Sequence, residues 1–216
     1  MIETKRDRFD RCRLLFGKNF SKIESANILL LGVGGVGGVC LDALYKTGVK
    51  QITIVDFDKF EVTNQNRQIG SENLGSIKVD ILGKIYSGIN TLNVKITPAW
   101  VDEFDFDEFD LVIDAIDDIK AKVSIAHKCS HKLISSMGGA KKIDPTHIKI
   151  SSIWKTHTDG LAKKFRYELK RSNFNGDFEV VFSDEPPQCS DLGSFIGVTG
   201  SFGLTLASLA IRKITE

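Results

Sequence analysis

Residues Gly32-Val33-Gly34-Gly35-Val36-Gly37 carry the spacing G-x-G-x-x-G. In such a loop the first glycine permits a tight turn and the second lets a phosphate approach the backbone. The third lets helix and strand pack closely. A helix opening there offers free N–H groups and a partial positive charge to an anion. Asp56 lies 19 residues after Gly37, about where a carboxylate accepts the hydroxyls of a ribose. The chemistry these residues can do is nucleotide binding. By themselves they do not separate a dinucleotide from a mononucleotide.

Three further features favour ATP over NAD. A Tyr-x-x-x-Lys pair for hydride chemistry is missing, because none of Tyr45, Tyr86 and Tyr167 has a lysine four residues on. Arg67 follows Asp56 by 11 residues and Lys78 follows Arg67 by another 11, and two cations suit the large charge of a triphosphate. Asp114, Asp117 and Asp118 cluster where a strand over residues 110–116 should end, the edge at which open α/β sheets bind ligands. A carboxylate there can hold Mg²⁺ together with phosphate oxygens. Asp117 is the expected ligand and Asp118 the expected helix cap. Surface ion pairing for Arg67, a solvated helix charge for Lys78 and capping for the whole Asp cluster are the alternatives.

The elements that must position these residues follow from periodicity. Asn27–Gly32 and the β-branched Gln51–Asp56 read as buried strands, with Val36–Thr47 as the helix between them. Ile77, Ile81, Ile85 and Ile89 recur every fourth residue, which predicts a helix over Ser76–Ile89. Val94–Val101, Asp110–Ile116 and Lys132–Met137 read as strands, and Ile119–His131 as a helix. This alternation predicts a doubly wound α/β fold with a mainly parallel sheet. After Gly139 the pattern changes to an alternating strand over His147–Trp154, a basic helix over Asp159–Arg171 and a strand over Phe178–Phe182. We read an antiparallel extension over 140–216, packed with a nucleotide-binding core over 1–139 as one domain.

With 42% apolar and 26% charged residues and a net charge of +1, the chain is of average globular composition. No overall field draws it to nucleic acid or membrane, so any basic site is a local patch. The uncharged stretch Leu192–Ile211 contains four glycines and several Ser and Thr. It is too polar for easy insertion in a bilayer, and a buried C-terminal helix without membrane contact is expected. Cys12, Cys40, Cys129 and Cys189 form no C-x-x-C pair, so no zinc site is expected. The N-terminal MIETKRDRFDRCRLL has no apolar leader, and a cytoplasmic location is expected.

In this order GVGGVG, DFDKFEVTNQNRQ, GSIK and DAIDD resemble the superfamily of ubiquitin-activating-like adenylating enzymes, which includes the molybdopterin and thiazole sulfur-carrier activators. The resemblance runs from about Arg8 to Gly139 and implies a Rossmann-like fold. It implies that Gly32, Gly34, Gly35, Gly37, Asp56, Asp58, Asn64 and Gln68 bind the nucleotide. It implies that Arg67 and Lys78 hold the phosphates and Asp117 holds Mg²⁺. Arg8-Phe9-Asp10-Arg11 matches the R-x-x-R of that superfamily. There the second arginine crosses a dimer interface to the partner's ATP, which implies a homodimer and a catalytic role for Arg11.

Beyond Gly139 the chain is similar to the branch of tRNA threonylcarbamoyladenosine dehydratases, through MGGAKKIDPT, WKT and DGLAK. That branch acts on the threonylcarbamoyl adenosine beside the anticodon, which implies tRNA as substrate. A carboxylate on the modified adenosine attacks the α-phosphate of ATP and pyrophosphate leaves. The substrate's own carbamoyl group then attacks the acyl-adenylate and releases AMP, for a net loss of water. Lys155, Lys163, Lys164, Arg166, Lys170 and Arg171 lie within 17 residues, while Leu161, Phe165 and Leu169 recur at i, i+4, i+8. One face can pack while the other holds a tRNA backbone, or is merely solvated. Cys189 reads as a sulfur relay or acyl acceptor toward a sulfur-transfer protein, or as a loop cysteine without chemistry; the other three read as core. The rival functions are adenylation of the C-terminal Gly-Gly of a small sulfur-carrier protein and an NAD-binding redox or sensor role.

Overall fold

The computed structural model describes residues 6–216; residues 1–5, the start of the charged N-terminal stretch, lie outside them. The buried runs NILLL and QITIV form strands β1 (Asn27–Leu31) and β2 (Gln51–Val55). Between them runs helix α3 (Gly37–Thr47), preceded by α1 (Asp10–Phe16) and α2 (Phe20–Ser25). Helix α4 (Lys78–Ile85), strand β3 (Asn90–Leu92) and helix α5 (Pro98–Glu103) follow, then β4 (Leu111–Asp114), α6 (Ile119–Cys129) and β5 (Leu133–Ser136). Strand β6 (Ile148–Ser152), helix α7 (Gly160–Arg171), strand β7 (Glu179–Ser183) and helix α8 (Ile196–Thr215) complete the chain.

Among the described residues, seven strands join one sheet in the order β3-β2-β1-β4-β5-β7-β6. Every pairing is parallel except β6 with β7. The expected Rossmann-like sheet is present, with one adjustment. The C-terminal strands are not a separate extension: β7 continues the parallel sheet beside β5, and only the edge strand β6 runs antiparallel. Burial divides each strand between two faces. Ile28 and Leu30 of β1 face Leu41, Leu44, Phe202 and Leu206. Leu29 and Leu31 face Val112, Ile125, Phe165 and Leu169. Period-2 alternation inside fully buried strands is what a doubly covered sheet requires.

The strand expected over 94–101 is a correction. Thr97 accepts a hydrogen bond from the Trp100 N–H at 3.2 Å and Pro98 occupies the first turn of α5. A Thr-Pro start is a helix signal, and it overrides the β-branched composition. The edge strand is the shorter β3 upstream. Helix α4 is also shorter than its isoleucine spacing suggested, with Tyr86 leaving helical geometry at φ −110°, ψ 83°. The uncharged stretch forms α8, whose Val198, Gly200, Phe202, Gly203 and Leu206 are buried. No described helix is long and apolar enough to cross a membrane.

Candidate functional site

Strand β1 ends at Leu31, and Gly32 turns the chain at φ +85°, a value that glycine reaches without strain. A Cβ on Gly37 would lie 1.9 Å from the Gly32 carbonyl oxygen, so this position excludes any side chain. A Cβ on Gly34 would meet only Gln68 Nε2 at 3.8 Å, leaving open space over the second glycine. Among the described residues no side chain caps the N-terminus of α3. Its N–H groups and partial positive charge therefore point at that space without a competing oxygen from the protein.

Asp56, 8% exposed, braces the loop. Its Oδ2 accepts from the Val33 N–H at 2.9 Å and its Oδ1 from the Asp58 N–H at 2.9 Å. A carboxylate has about four lone-pair directions, so capacity remains for ribose hydroxyls. Lys78 is buried and donates to Asp58 Oδ2 at 3.0 Å. The stem of Arg67 crosses Gly35, with Cγ 3.1 Å from where a Cβ there would stand. Its guanidinium donates to the Thr63 carbonyl at 2.8 Å and to Asn66 Oδ1 at 2.9 Å. Asn64 is buried and accepts from the Glu61 N–H at 3.1 Å, shaping the turn that carries Arg67 and Gln68. Gln68 Oε1 is buried and lacks a partner among the described residues. This orphaned amide oxygen beside the open glycine loop keeps its full capacity to accept a hydrogen bond.

The three aspartates at the C-terminal end of β4 separate by role. Asp114 is fully buried and paired with Lys122 at 2.7 Å. Asp118 caps α6, accepting from the Ala121 N–H at 2.9 Å. Asp117 is exposed and makes no hydrogen bond or ion pair to the described residues, which leaves its carboxylate available to a cation. Periodicity alone could have flagged Lys122, which shares the apolar stripe of α6 with Ile119, Ile125, Ala126 and Cys129.

The chain after β5 meets this cradle through one turn of α8. Thr199 Oγ1 lies 3.3 Å from the Cβ position of Gly35, and the Thr199 methyl lies 3.5 Å from that of Gly139. Asp159, the N-cap of α7, lies with Oδ1 3.5 Å from the Cβ position of Gly138. It is 3% exposed and its Oδ2 has no partner among the described residues. Burial raises its pKa above the usual carboxylate range, against hydrogen bonding from the Ala162 N–H. Neither Thr199 nor Asp159 was singled out from sequence, since each reads as an ordinary helix-start residue.

Arg11 is not brought to the loop of its own chain. Helix α1 sits at the far end of α3, where Phe9 approaches Gly48 and Arg8 donates to the Tyr45 carbonyl. That end is about 16 Å from Gly37, the length of an 11-residue helix. No residue of α1 is buried, and Leu14 and Leu15 are 86% and 77% exposed.

On α7, Ala162, Phe165 and Leu169 are buried while Lys163, Lys164, Lys170 and Arg171 face solvent. Lys155 is exposed just before it. Arg166 departs from this stripe: it is half-buried and donates to Thr156 Oγ1. Arg171 pairs with Glu168 at 3.2 Å. Among the cysteines, Cys40 and Cys129 are buried, and burial pushes the Cys129 thiol up to about 12. Cys12 is half-buried against the core, whereas Cys189 is exposed.

Comparison with known proteins bears on this arrangement. The profile of the family described as ThiF family matches residues 9–216. The tRNA threonylcarbamoyladenosine dehydratase of Bacillus subtilis (strain 168) is 37% identical over 191 residues, covering 83% of this chain and 75% of that protein. The protein of the same name from Escherichia coli (strain K12) is 31% identical over 251 residues, covering 97% and 94%. The crystal structure of the E. coli tRNA N6-threonylcarbamoyladenosine dehydratase in complex with ATP superposes with a TM-score of 0.90 at 31% identity, covering 96% of this chain and 93% of that one.

Proposed function

The chain belongs to the ThiF family, and we propose that it dehydrates threonylcarbamoyladenosine in tRNA at the expense of ATP. One observation carries the reading. The nucleotide loop and the loop that follows β5 converge on Thr199, so an activated phosphate and a second substrate meet at one edge of the sheet. Relatives named for this reaction align over nearly the whole chain, and the ATP complex of one of them has the same fold.

The residues divide the work as follows. The loop Gly32–Gly37 and the uncapped start of α3 receive the phosphates, and Asp56 takes the ribose. Asp58, Asn64 and Gln68 line the same cradle, and Gln68 Oε1 gains the partner it lacks. Arg67 and Lys78 release their present partners toward the phosphates, where fixed positive charge stabilises the transfer. Mg²⁺, when bound, neutralises phosphate charge; Asp117 is the carboxylate with nothing else to bind, and Mg²⁺ asks for only one or two protein carboxylates. The substrate carboxylate attacks the α-phosphate and pyrophosphate leaves. The carbamoyl group of the same nucleoside then closes the ring and expels AMP. Because nucleophile and acyl group belong to one nucleoside, proximity supplies much of the rate.

Arg11 serves the ATP of a second copy. Its place at the far end of α3 and the exposed Leu14 and Leu15 support a homodimer closed by α1. Lys155, Lys163, Lys164 and Lys170 hold the tRNA backbone, with Arg171 beside them. Cys189 is the thiol that a sulfur-transfer protein would reach.

The test is ATP–pyrophosphate exchange with AMP release. Activity is expected with tRNA carrying threonylcarbamoyladenosine, and none with a carrier protein ending in Gly-Gly. AMP formation triggered by the carrier protein and not by tRNA would overturn the assignment in favour of the sulfur-carrier rival. A thermal shift produced by NADH and not by ATP would favour the redox rival.

A further inference from the structure

Tyr167 stands in the middle of the solvent face of α7, 60% exposed. Residues three and four apart are neighbours on a helix surface, and those positions around Tyr167 are Lys163, Lys164, Lys170 and Arg171. The aromatic ring is therefore bracketed by cations one turn before it and one turn after. The Arg171 guanidinium lies 5.7 Å from the ring centroid, while pairing with Glu168. On the opposite side Phe165 and Leu169 are fully buried, so the core of α7 does not need the tyrosine ring. Helix propensity does not ask for it either, since tyrosine ranks below lysine or glutamate.

We infer that Tyr167 is a stacking platform for an unpaired nucleobase of the RNA substrate, with the four cations holding the phosphates on either side of that base. The inference rests on the reading that the chain acts on tRNA. The chemistry selects the occupant. An apolar protein surface is repelled by four charges around a single ring. A base-paired RNA helix offers phosphates but no free base face. A single-stranded loop offers both, and loops are recognised by bases stacked on aromatic rings and guanidinium planes. Distance along the helix separates this base from the one that reacts. Tyr167 is eight residues past Asp159, the N-cap beside Gly138, or about 12 Å at 1.5 Å per residue. The stacked base is thus a neighbour of the modified adenosine in the same loop. Held there, it sets how far the loop reaches toward the sheet edge.

The test measures binding of a tRNA anticodon stem-loop by fluorescence anisotropy at several salt concentrations, for the parent, Tyr167→Ala, Tyr167→Phe and Lys163→Ala. Tyr167→Ala should weaken binding about tenfold, the loss of one stacked base, with the salt slope unchanged because no phosphate contact is removed. Tyr167→Phe should bind like the parent. Lys163→Ala should lower the slope by about 1. A duplex RNA of equal length should be bound equally by parent and Tyr167→Ala. An unchanged ATP-induced thermal shift establishes that the variants are folded. If the parent binds the stem-loop and Tyr167→Ala binds it equally well, the platform is refuted while the tRNA reading stands. If the parent binds no RNA, both fall. Equal weakening on the duplex, or weakened binding to an acidic peptide or anionic vesicles without change on the stem-loop, also refutes the platform.

Discussion

Lys122→Met is the substitution whose outcome the structure constrains most tightly. Lys122 and Asp114 are both fully buried. The ammonium donates to Asp114 Oδ2 at 2.7 Å, to Ser135 Oγ at 3.0 Å and to the Ser136 carbonyl at 3.0 Å. Ser135 Oγ donates to the same carboxylate oxygen at 2.7 Å, and the Ile116 N–H donates to Oδ1 at 3.1 Å. Methionine keeps the length of the side chain and removes every donor. The carboxylate is left buried with two donors and the Ser136 carbonyl loses its side-chain partner. Breaking a buried pair in this way costs about 3–5 kcal/mol, a large part of the roughly 5–15 kcal/mol that holds a domain together.

Urea unfolding followed by far-UV circular dichroism, at fixed protein concentration, reads this directly. With a slope of about 2–3 kcal/mol per molar, the midpoint should fall by roughly 1–2.5 M without change of slope. Asp114→Leu combined with Lys122→Met should recover most of the loss, because an apolar pair of similar volume is often as stable as a buried ion pair. The double variant separates stability from function. Asp114 Oδ1 anchors the Ile116 N–H and hence the turn that presents Asp117, so ATP affinity should stay reduced even in the recovered fold. A single variant within about 1 kcal/mol of the parent, or a double variant no more stable than the single, would refute the reasoning.

Two glycines of one loop should fail in different ways. Gly37→Ala forces a Cβ to 1.9 Å from the Gly32 carbonyl and should yield little folded protein. Gly34→Ala meets nothing closer than 3.8 Å, so it should melt near the parent while losing ATP affinity in calorimetry; equal melting losses in both would contradict the assignment. Arg11→Ala and Asp117→Ala should each abolish turnover, and mixing them should restore part of it, since one of the hybrid sites is intact; no recovery in a verified heterodimer counts against the crossing arginine. Asp159→Asn keeps the N-cap and removes a carboxyl whose folded pKa is raised by burial from 3.8. Such a group stabilises the fold below pH 3.8 and loses that contribution as pH rises through the folded value. The stability of Asp159→Asn relative to the parent should therefore climb from about pH 4 upward and then level off, as checked by denaturation at a series of pH values.

What the sequence disclosed depended on whether the signal was local. The glycine loop was legible because strand, turn and helix start lie within about a dozen consecutive residues, and each constraint is on the backbone. Asp118 was legible as a cap because capping reaches only three residues ahead. The 94–101 segment is not the expected strand, because the Thr97-Pro98 start directs a helix in which Thr97 Oγ1 accepts from the Trp100 N–H. The antiparallel extension was half right: chain order places β6 before β7, but spatial order inserts β7 against β5. No periodicity within either strand encodes which of them sits inside.

What periodicity leaves undisclosed is the set of partners, which come from contacts across distant segments. Lys122 reaches Asp114 and Ser135 across 8 and 13 residues. Thr199 touches Gly35 and Gly139 from the far end of the chain. Both lie where the parallel strands end, and the topology explains why. A parallel sheet delivers every strand's C-terminal end to one edge, so residues far apart in sequence collect there whatever lies between them. The close approach of α8 to α3 completes that edge. A Cβ on Gly203 would fall 2.5 Å from the Val36 carbonyl, so this glycine lets Thr199, one turn earlier, come down onto the glycine loop. The uncharged, glycine-containing stretch is thus explained by packing: α8 buries Val198, Phe202 and Leu206 in the core and carries a glycine at position 203, where it lies against the backbone of α3.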